Sequence, residues 1–406
     1  MNWLNGKRNK NEDEINRLKN EINHLRVLIS KSKSPLLFTE EDDFLTERLL
    51  SHPIKVSLNG VSMTEIPSYE IESRIHVAER IITAYMKAIE DEEKSALKRE
   101  GEDLWTGLLR NELPDLLKAI EDNDPKKLAD FLKSFGSDYV WFGGITTGVD
   151  GYNKNLNPGH VALTYFDKLV SLCEFAGVIP SSGPEYDNWG DSMSMTPESL
   201  CRLLSEKLGF DILPPMGIIH TAGIPVGNHA LHYRHINALY SALRVSEAVG
   251  SISSICEFGG GLGISAYYMK KIGFSNYTIF DLPITNLLCA NYLIHALGGE
   301  NVTLYGEEHK EGCVRILPYW ECSKSQENEY DIALNQDSFP EIADNLVIEF
   351  IKCIKRTTKV GMLSINHEFF HPKTVSHLVD KAGGMKKSYR SKCWVRDGYV
   401  DELFYS

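Results

Sequence analysis

The stretch Ile255-Cys-Glu-Phe-Gly-Gly-Gly-Leu-Gly263, with Asp281 eighteen residues beyond it, decides the fold. A short apolar strand runs into a glycine loop, a helix follows, and a second strand, Tyr277-Thr-Ile-Phe280, ends on the acid. This is the front half of a nucleotide-binding βαβ unit. Glycines let the backbone approach a ligand closely, and a carboxylate at the tip of the second strand suits a ribose diol.

The glycine spacing narrows the ligand. A dinucleotide fold wants G-x-G-x-x-G, but after Gly259 and Gly261 the required position is Ile264; a P-loop wants a lysine and a hydroxyl, and Ile264-Ser265-Ala266 supply no lysine. What remains is E-x-G-x-G-x-G, with Glu257, Gly259, Gly260, Gly261 and Gly263 around the ligand and Glu257 expected to face it. A carboxylate there repels a pyrophosphate and suits a cation that carries an amino acid. S-adenosylmethionine has a sulfonium, an ammonium and a ribose, the last for Asp281 and the adjoining Leu282. The alternative is a purely structural glycine turn.

Composition sets the frame. At 406 residues the chain exceeds the length at which single cores stop growing, so several domains are expected. Forty-three basic against 56 acidic residues give a net charge of −13, which argues against a nucleic-acid partner. The eight cysteines form no C-x-x-C pair and no zinc spacing, so free thiols, a reducing compartment and a soluble cytoplasmic protein are expected. No apolar run reaches the length of a transmembrane helix.

Three domains follow from the pattern. In 1–35, Ile15, Leu18, Ile22, Leu25 and Ile29 alternate spacings of three and four, a heptad seam with isoleucine at a and leucine at d. Glu14 to Lys19 and Glu21 to Arg26 fall at the offset where parallel helices exchange charges, so residues 10–33 predict a coiled-coil homodimer. The first 34 residues also hold eight Lys/Arg against four Asp/Glu, which a solvated coiled coil explains; peripheral contact with an anionic membrane surface is the alternative. The 36–222 region reads as mainly helical and substrate-facing. Its helices lie around Ile75–Ile89, Leu113–Ile120, Pro125–Phe135 (capped by Asp124), Tyr165–Ala176 and Thr196–Leu208, with Trp189 in a turn-rich stretch as a candidate substrate contact. Within 223–406, strands at 253–258, 277–280, 301–305, 331–335 and 360–365 alternate with helices, and a pair at 385–396 and 399–405 closes the chain. The expected fold is α/β: a Rossmann-like, seven-stranded, doubly wound sheet.

Ligands of such sheets sit beyond the carboxyl ends of the strands. Strand three ends at Glu307, placed to meet an adenine amino group; strand four ends at Asn335, Gln336, Asp337, Ser338 and Glu341; strand five ends at Asn366, His367 and Glu368. Asn335 and Gln336 join the cofactor set. Methyl transfer to a hydroxyl needs a positioned base, and His367 has the right location, with Asp337 and Glu368 beside it. Those two carboxylates are alternatively ligands for a divalent metal, although no metal is the favoured reading. Just upstream of strand one lies Leu231-His-Tyr-Arg-His-Ile-Asn-Ala-Leu-Tyr240. There Arg234 suits the methionine carboxylate or an acidic substrate, and His232, Tyr233 and Tyr240 are candidate substrate contacts.

Together, Glu257–Gly263, Tyr277-Thr-Ile-Phe-Asp-Leu-Pro283, Leu231–Tyr240, Leu334-Asn-Gln-Asp-Ser-Phe339 and Ser364-Ile-Asn-His-Glu368 resemble the sugar O-methyltransferases of bacterial polysaccharide gene clusters. Tyr165-Phe-Asp-Lys-Leu-Val170 through Asn188-Trp-Gly190 extends the likeness to about 160–406. The resemblance implies a class I methyltransferase sheet, S-adenosylmethionine and a saccharide acceptor, free, nucleotide-linked or lipid-linked. A natural-product or aromatic hydroxyl, or a non-catalytic coiled-coil assembly subunit, are the competing readings.

Overall fold

A computed structural model describes residues 50–99, 113–135, 158–183, 185, 194–219 and 222–406, apart from short breaks at 55, 59, 64–70, 96, 251–252 and 369–372. The coiled-coil seam of residues 10–33 and Trp189 lie outside the described residues.

The helical expectations have counterparts with shifted ends. Helix α1 (Ile71–Glu92) buries Ala78, Ile81, Ile82 and Ala88, whereas Met86 and Ile89, expected on its apolar face, are exposed. Helices α2 (Pro114–Glu121) and α3 (Pro125–Ser134) follow; the Asp124 side chain caps α3 by accepting from the Lys127 N–H, and proline stands at the first turn, where no donor is needed. Helix α4 (Pro158–Phe175) is apolar along most of its length, and α5 (Pro197–Leu208) starts on a Thr196 cap and stops at Gly209 in the left-handed region.

Helix α4 also anchors the start of the described chain. The backbone N–H groups of Ser51 and His52 donate to Asp167, and the His52 ring bridges Asp167 (2.7 Å) and Glu174 (3.1 Å). Burial opposes charge on this ring, but bonding to the two carboxylates outweighs it and raises the imidazole from 6.5 to about 9.

Strands β1 (Ser62–Met63), β2 (Ala222–Val226) and β3 (His229–Leu231) form a small antiparallel sheet. The boundary expected between 222 and 223 therefore falls inside β2. Helix α6 (Tyr233–Val249) leads into β4 (Ser254–Phe258), α7 (Ile264–Ile272), β5 (Asn276–Asp281), α8 (Pro283–Leu297), β6 (Val302–Leu304), β7 (Val314–Pro318) and β8 (Tyr330–Gln336). Helix α9 (Asp344–Thr357), β9 (Thr358–His367), α10 (Val375–Ala382), β10 (Lys386–Lys392) and β11 (Tyr399–Tyr405) complete it.

The large sheet has order β10-β11-β9-β8-β4-β5-β7-β6, eight strands where seven were expected. Strands β6, β7, β5, β4, β8 and β9 run parallel, and β11 runs antiparallel beside β9. The additional strand is β7, which lies between β5 and β6. Its Val-Arg-Ile-Leu-Pro is too short for its alternation to stand out. Alternate residues serve the two faces: Ile255, Tyr277 and Ile279 pack with α6–α8, while Cys256, Phe258 and Phe280 pack with Phe350, Ile351 and Leu378 of α9 and α10. Both faces being covered, the parallel strands read as continuous apolar runs. Among the described residues no helix is long and apolar enough to cross a membrane.

Candidate functional site

The glycine loop leaves β4 with Gly259, Gly261 and Gly263 all at positive φ (77°, 57° and 82°), a conformation that side chains resist. A Cβ on Gly259 would stand 2.3 Å from Ser338 Oγ, so the loop lies directly against the chain emerging from β8. The Gly259 N–H donates to the Phe280 carbonyl, and the Gly261 N–H to Asp281 Oδ2 at 2.9 Å. Leu282, which caps α8, donates its N–H to Asp281 Oδ1 at 2.7 Å. Each carboxylate oxygen thus takes one backbone donor and keeps a lone pair for another. Burial raises Asp281 to about 6, and the two backbone donors pull it down only partly.

Glu257 does not face the ligand side of the loop as expected. It is 2% exposed beneath the glycines, where Tyr277 Oη donates to it at 2.8 Å, and desolvation raises it to about 7. Its placement follows from strand alternation: Glu257 shares the Ile255 face, which α7 covers.

Asn335 is also internal. Its amide donates to the Phe258 carbonyl (2.8 Å) and Ser338 Oγ (2.6 Å) and accepts from Asn366, which accepts in turn from the Ser338 N–H. This buried network fastens the carboxyl ends of β4, β8 and β9 together, and every bond in it serves the scaffold. Gln336 accepts from Ser241 of α6 at 2.7 Å.

Beyond the network lies a cationic cluster. Asp337, in the left-handed region at φ 58°, accepts from Arg234 (3.0 Å), Arg396 (2.8 Å) and the Tyr399 hydroxyl (2.7 Å). Burial disfavours its charge, yet Arg396 and Arg234 hold the carboxyl well below the usual range. Asp337 is therefore neither a base nor a metal ligand here; it aligns two guanidiniums. Arg234, the candidate for the methionine carboxylate, is engaged with Asp337 through one nitrogen, while its buried Nε has no hydrogen-bond partner. The Arg396 guanidinium lies 3.5 Å from the centre of the Tyr399 ring.

His367 ends β9 at 7% exposure, its ring edge-on to Tyr399 at 5.4 Å, so it borders this cluster. Glu341, in the turn after β8, is raised to about 7 by burial first and then by the Asp337 charge. Glu368 turns away: both its oxygens are held by Arg390, at 2.8 and 2.6 Å, which lowers its pKa. With Asp337 and Glu368 each committed to different arginines, the pair does not fit a divalent metal. Among the described residues no group of three or more His, Cys, Asp or Glu side chains is arranged to hold one.

Other expected contacts sit elsewhere. Glu307 follows the outermost strand β6, not the neighbour of β5, and is held by Arg80 of α1 and the Leu304 N–H. Tyr240 is fully buried, bonded to Asp401 and packed on Phe175 at 4.7 Å, so it belongs to the core. His232 is 1% exposed and caps α6 by accepting from the Arg234 N–H, between the rings of Tyr165 and Tyr233. Tyr233 is half-buried under the Arg234 guanidinium. Reading the sequence alone missed Arg396 and Tyr399. The available signal was that both fall at the turn of the terminal strand pair, beside the carboxyl end of β9.

No protein-family model matches the chain, and no curated protein matches it. Solved structures align with part of it. A SAM-dependent methyltransferase from Aquifex aeolicus matches at 16% identity over 41% of this chain and 90% of its own, with a TM-score of 0.29. The mitomycin 7-O-methyltransferase MmcR matches at 14% identity over 43% of this chain and 55% of its own, at 0.32. An S-adenosylmethionine-dependent methyltransferase from Mesorhizobium loti matches at 11% identity over 42% of this chain and 98% of its own, at 0.30. The chain is thus similar over some two-fifths of its length to methyltransferases, at scores that leave its assignment to its own sheet and site.

Proposed function

We infer that this chain is an S-adenosylmethionine-dependent O-methyltransferase whose acceptor is a sugar hydroxyl of a bacterial surface glycan or its precursor. One observation carries the cofactor reading: Asp281 at the tip of β5, its two oxygens aligned by the Gly261 and Leu282 N–H groups at 2.9 and 2.7 Å, beside a loop whose glycines hold positive φ. That donor set leaves each carboxylate oxygen a lone pair for one hydroxyl of a vicinal diol, and the loop holds no lysine for a phosphate. When bound, S-adenosylmethionine supplies an activated methyl group on a sulfonium. The protein's own task is then to align the acceptor and remove its proton, and His367 at the end of β9 is the residue assigned to that proton. The saccharide acceptor rests on the resemblance of the sequence blocks between about 160 and 406.

Calorimetry with S-adenosylmethionine and S-adenosylhomocysteine, followed by methyl-transfer assays on nucleotide sugars, oligosaccharides and phenols, tests the reading. Binding of both cofactors with turnover on a sugar is expected. Failure to bind either sinks the cofactor assignment, and turnover on phenols alone sinks the acceptor.

A further inference from the structure

Residues 386–396, Lys-Lys-Ser-Tyr-Arg-Ser-Lys-Cys-Trp-Val-Arg, hold five cations and no acid in a chain of net charge −13. They form β10, the outer edge of the large sheet, and the turn after it. Lys387 and Arg390 are shared with Glu402, and Arg396 with Asp337, but Lys386 and Lys392 enter no ion pair among the described residues. Two large aromatic side chains are partly exposed in the same strip: Tyr389 (41%), with Arg244 over its ring, and Trp394 (46%), packed on Phe175.

Lysines on an edge strand protect against edge-to-edge pairing, which explains the cations. Edge protection does not explain the open parts of the two rings, which work against solubility. Direction matters too. Strand β10 is antiparallel to β11, and β11 to β9, so β10 points the same way as the parallel strands. Its register sets Lys392 opposite Val400, and Val400 opposite Asn366, the residue before His367. The strip therefore starts at Lys386, far from the site, and ends through Trp394 at Arg396, inside the cluster around Asp337.

We propose that this edge is the binding track for an acidic saccharide chain, with the sugar to be modified delivered at the Arg396 end. The cations match the carboxylate or phosphate carried by successive residues, and the aromatic faces match the apolar C–H faces of the rings between them. A single strand edge running into the site fits a linear polymer better than a lipid surface, which needs a broad face. The proposal rests on the methyl-transfer reading above, whose acceptor it narrows to an anionic glycan.

The test titrates the full chain by calorimetry with hexagalacturonate, neutral maltohexaose and phosphatidylglycerol vesicles, at low and moderate salt, with S-adenosylmethionine binding and thermal stability followed in parallel. Hexagalacturonate is expected to bind with an affinity that falls about tenfold with added salt, and maltohexaose much more weakly. The double variant K386E/K392E is expected to weaken hexagalacturonate about tenfold, with cofactor affinity and melting temperature unchanged. No binding, equal binding of the neutral chain, binding of vesicles alone, or a variant that binds like the parent overturns the track. Charge-dependent glycan binding without any cofactor binding instead leaves the track standing and removes the methyl-transfer reading.

Discussion

The Gly261 N–H donates to Asp281 Oδ2 at 2.9 Å and ties the loop leaving β4 to the tip of β5. The carboxylate is both the anchor of the loop and the expected acceptor of two ligand hydroxyls. Asp281→Ala removes both roles and should weaken S-adenosylmethionine by about 10–100-fold by calorimetry, the loss of one to two charge-assisted hydrogen bonds. Asp281→Asn, which keeps one acceptor oxygen, should lose less.

The same residue sets a pH dependence. Burial raises Asp281 to about 6, and only the charged form accepts from both hydroxyls. Cofactor affinity should therefore be level above neutral pH and fall as pH drops through 6, by up to about tenfold per unit. An inflection that persists unchanged in Asp281→Asn would assign it to another group.

Asp337 gives a different signature from a catalytic base. Asparagine tolerates the left-handed backbone at φ 58°, so Asp337→Asn isolates the charge. It strands Arg234 and Arg396 without their shared anion, and denaturant unfolding should register about 3 kcal/mol of lost stability. Because the folded pKa is depressed, this contribution is present above the ordinary carboxylate pKa and fails only in strong acid. Lost turnover with full stability would contradict the clamp.

For His367 the expectation is the reverse. His367→Ala should lower turnover at saturating cofactor by about 10²–10⁴-fold, with cofactor affinity little changed. Tyr399→Phe keeps the ring against His367 and removes only the hydroxyl bond to Asp337, so turnover should stay close to that of the parent. Turnover equal to the parent in His367→Ala would move the base to another group, and Glu341, raised to about 7, is the next one at the same strand ends.

What the sequence made legible was local. The glycine loop, Asp281 and the alternation of apolar strands with helices are written in consecutive residues, and the sheet follows from them. Glu257 was misread because its side of the strand depends on which face α7 covers. Glu307 was misplaced because a five-residue strand, Val314–Pro318, slipped in beside β5. The Asp337 clamp joins residues 103 and 59 positions apart, a pairing that no periodicity encodes. Tyr240 and Glu368 looked available because sequence gives residue type but not the partner, Asp401 or Arg390, that consumes it.

Gly259 tests the packing of the loop. A methyl group there meets Ser338 Oγ at 2.3 Å and must also sit at φ 77°. Gly259→Ala should cost about 1–3 kcal/mol and loosen the Asn335–Ser338–Asn366 network. Ser338→Gly removes the clash but also takes its hydroxyl out of the network, so the double variant is compared with Ser338→Gly alone. Against that background alanine at 259 should cost less than in the parent, because only the backbone strain is left; an equal cost in both backgrounds would show that the contact with Ser338 contributes nothing.

His52 offers a check on the remote half of the chain. Its ring is charged between Asp167 and Glu174, with a folded pKa of about 9 against an ordinary 6.5. The raised value means that its contribution is fully present below pH 6.5 and is lost as pH rises through 9. The gap corresponds to about 3 kcal/mol at most. His52→Ala should therefore be markedly less stable than the parent at pH 6, where it leaves two buried carboxylates facing an empty site, and the difference should shrink by pH 9.5. Thermal unfolding of both proteins across that range reads the effect directly, and a parent whose stability stays flat from pH 6 to 9.5 would show that the ring is not charged in the fold.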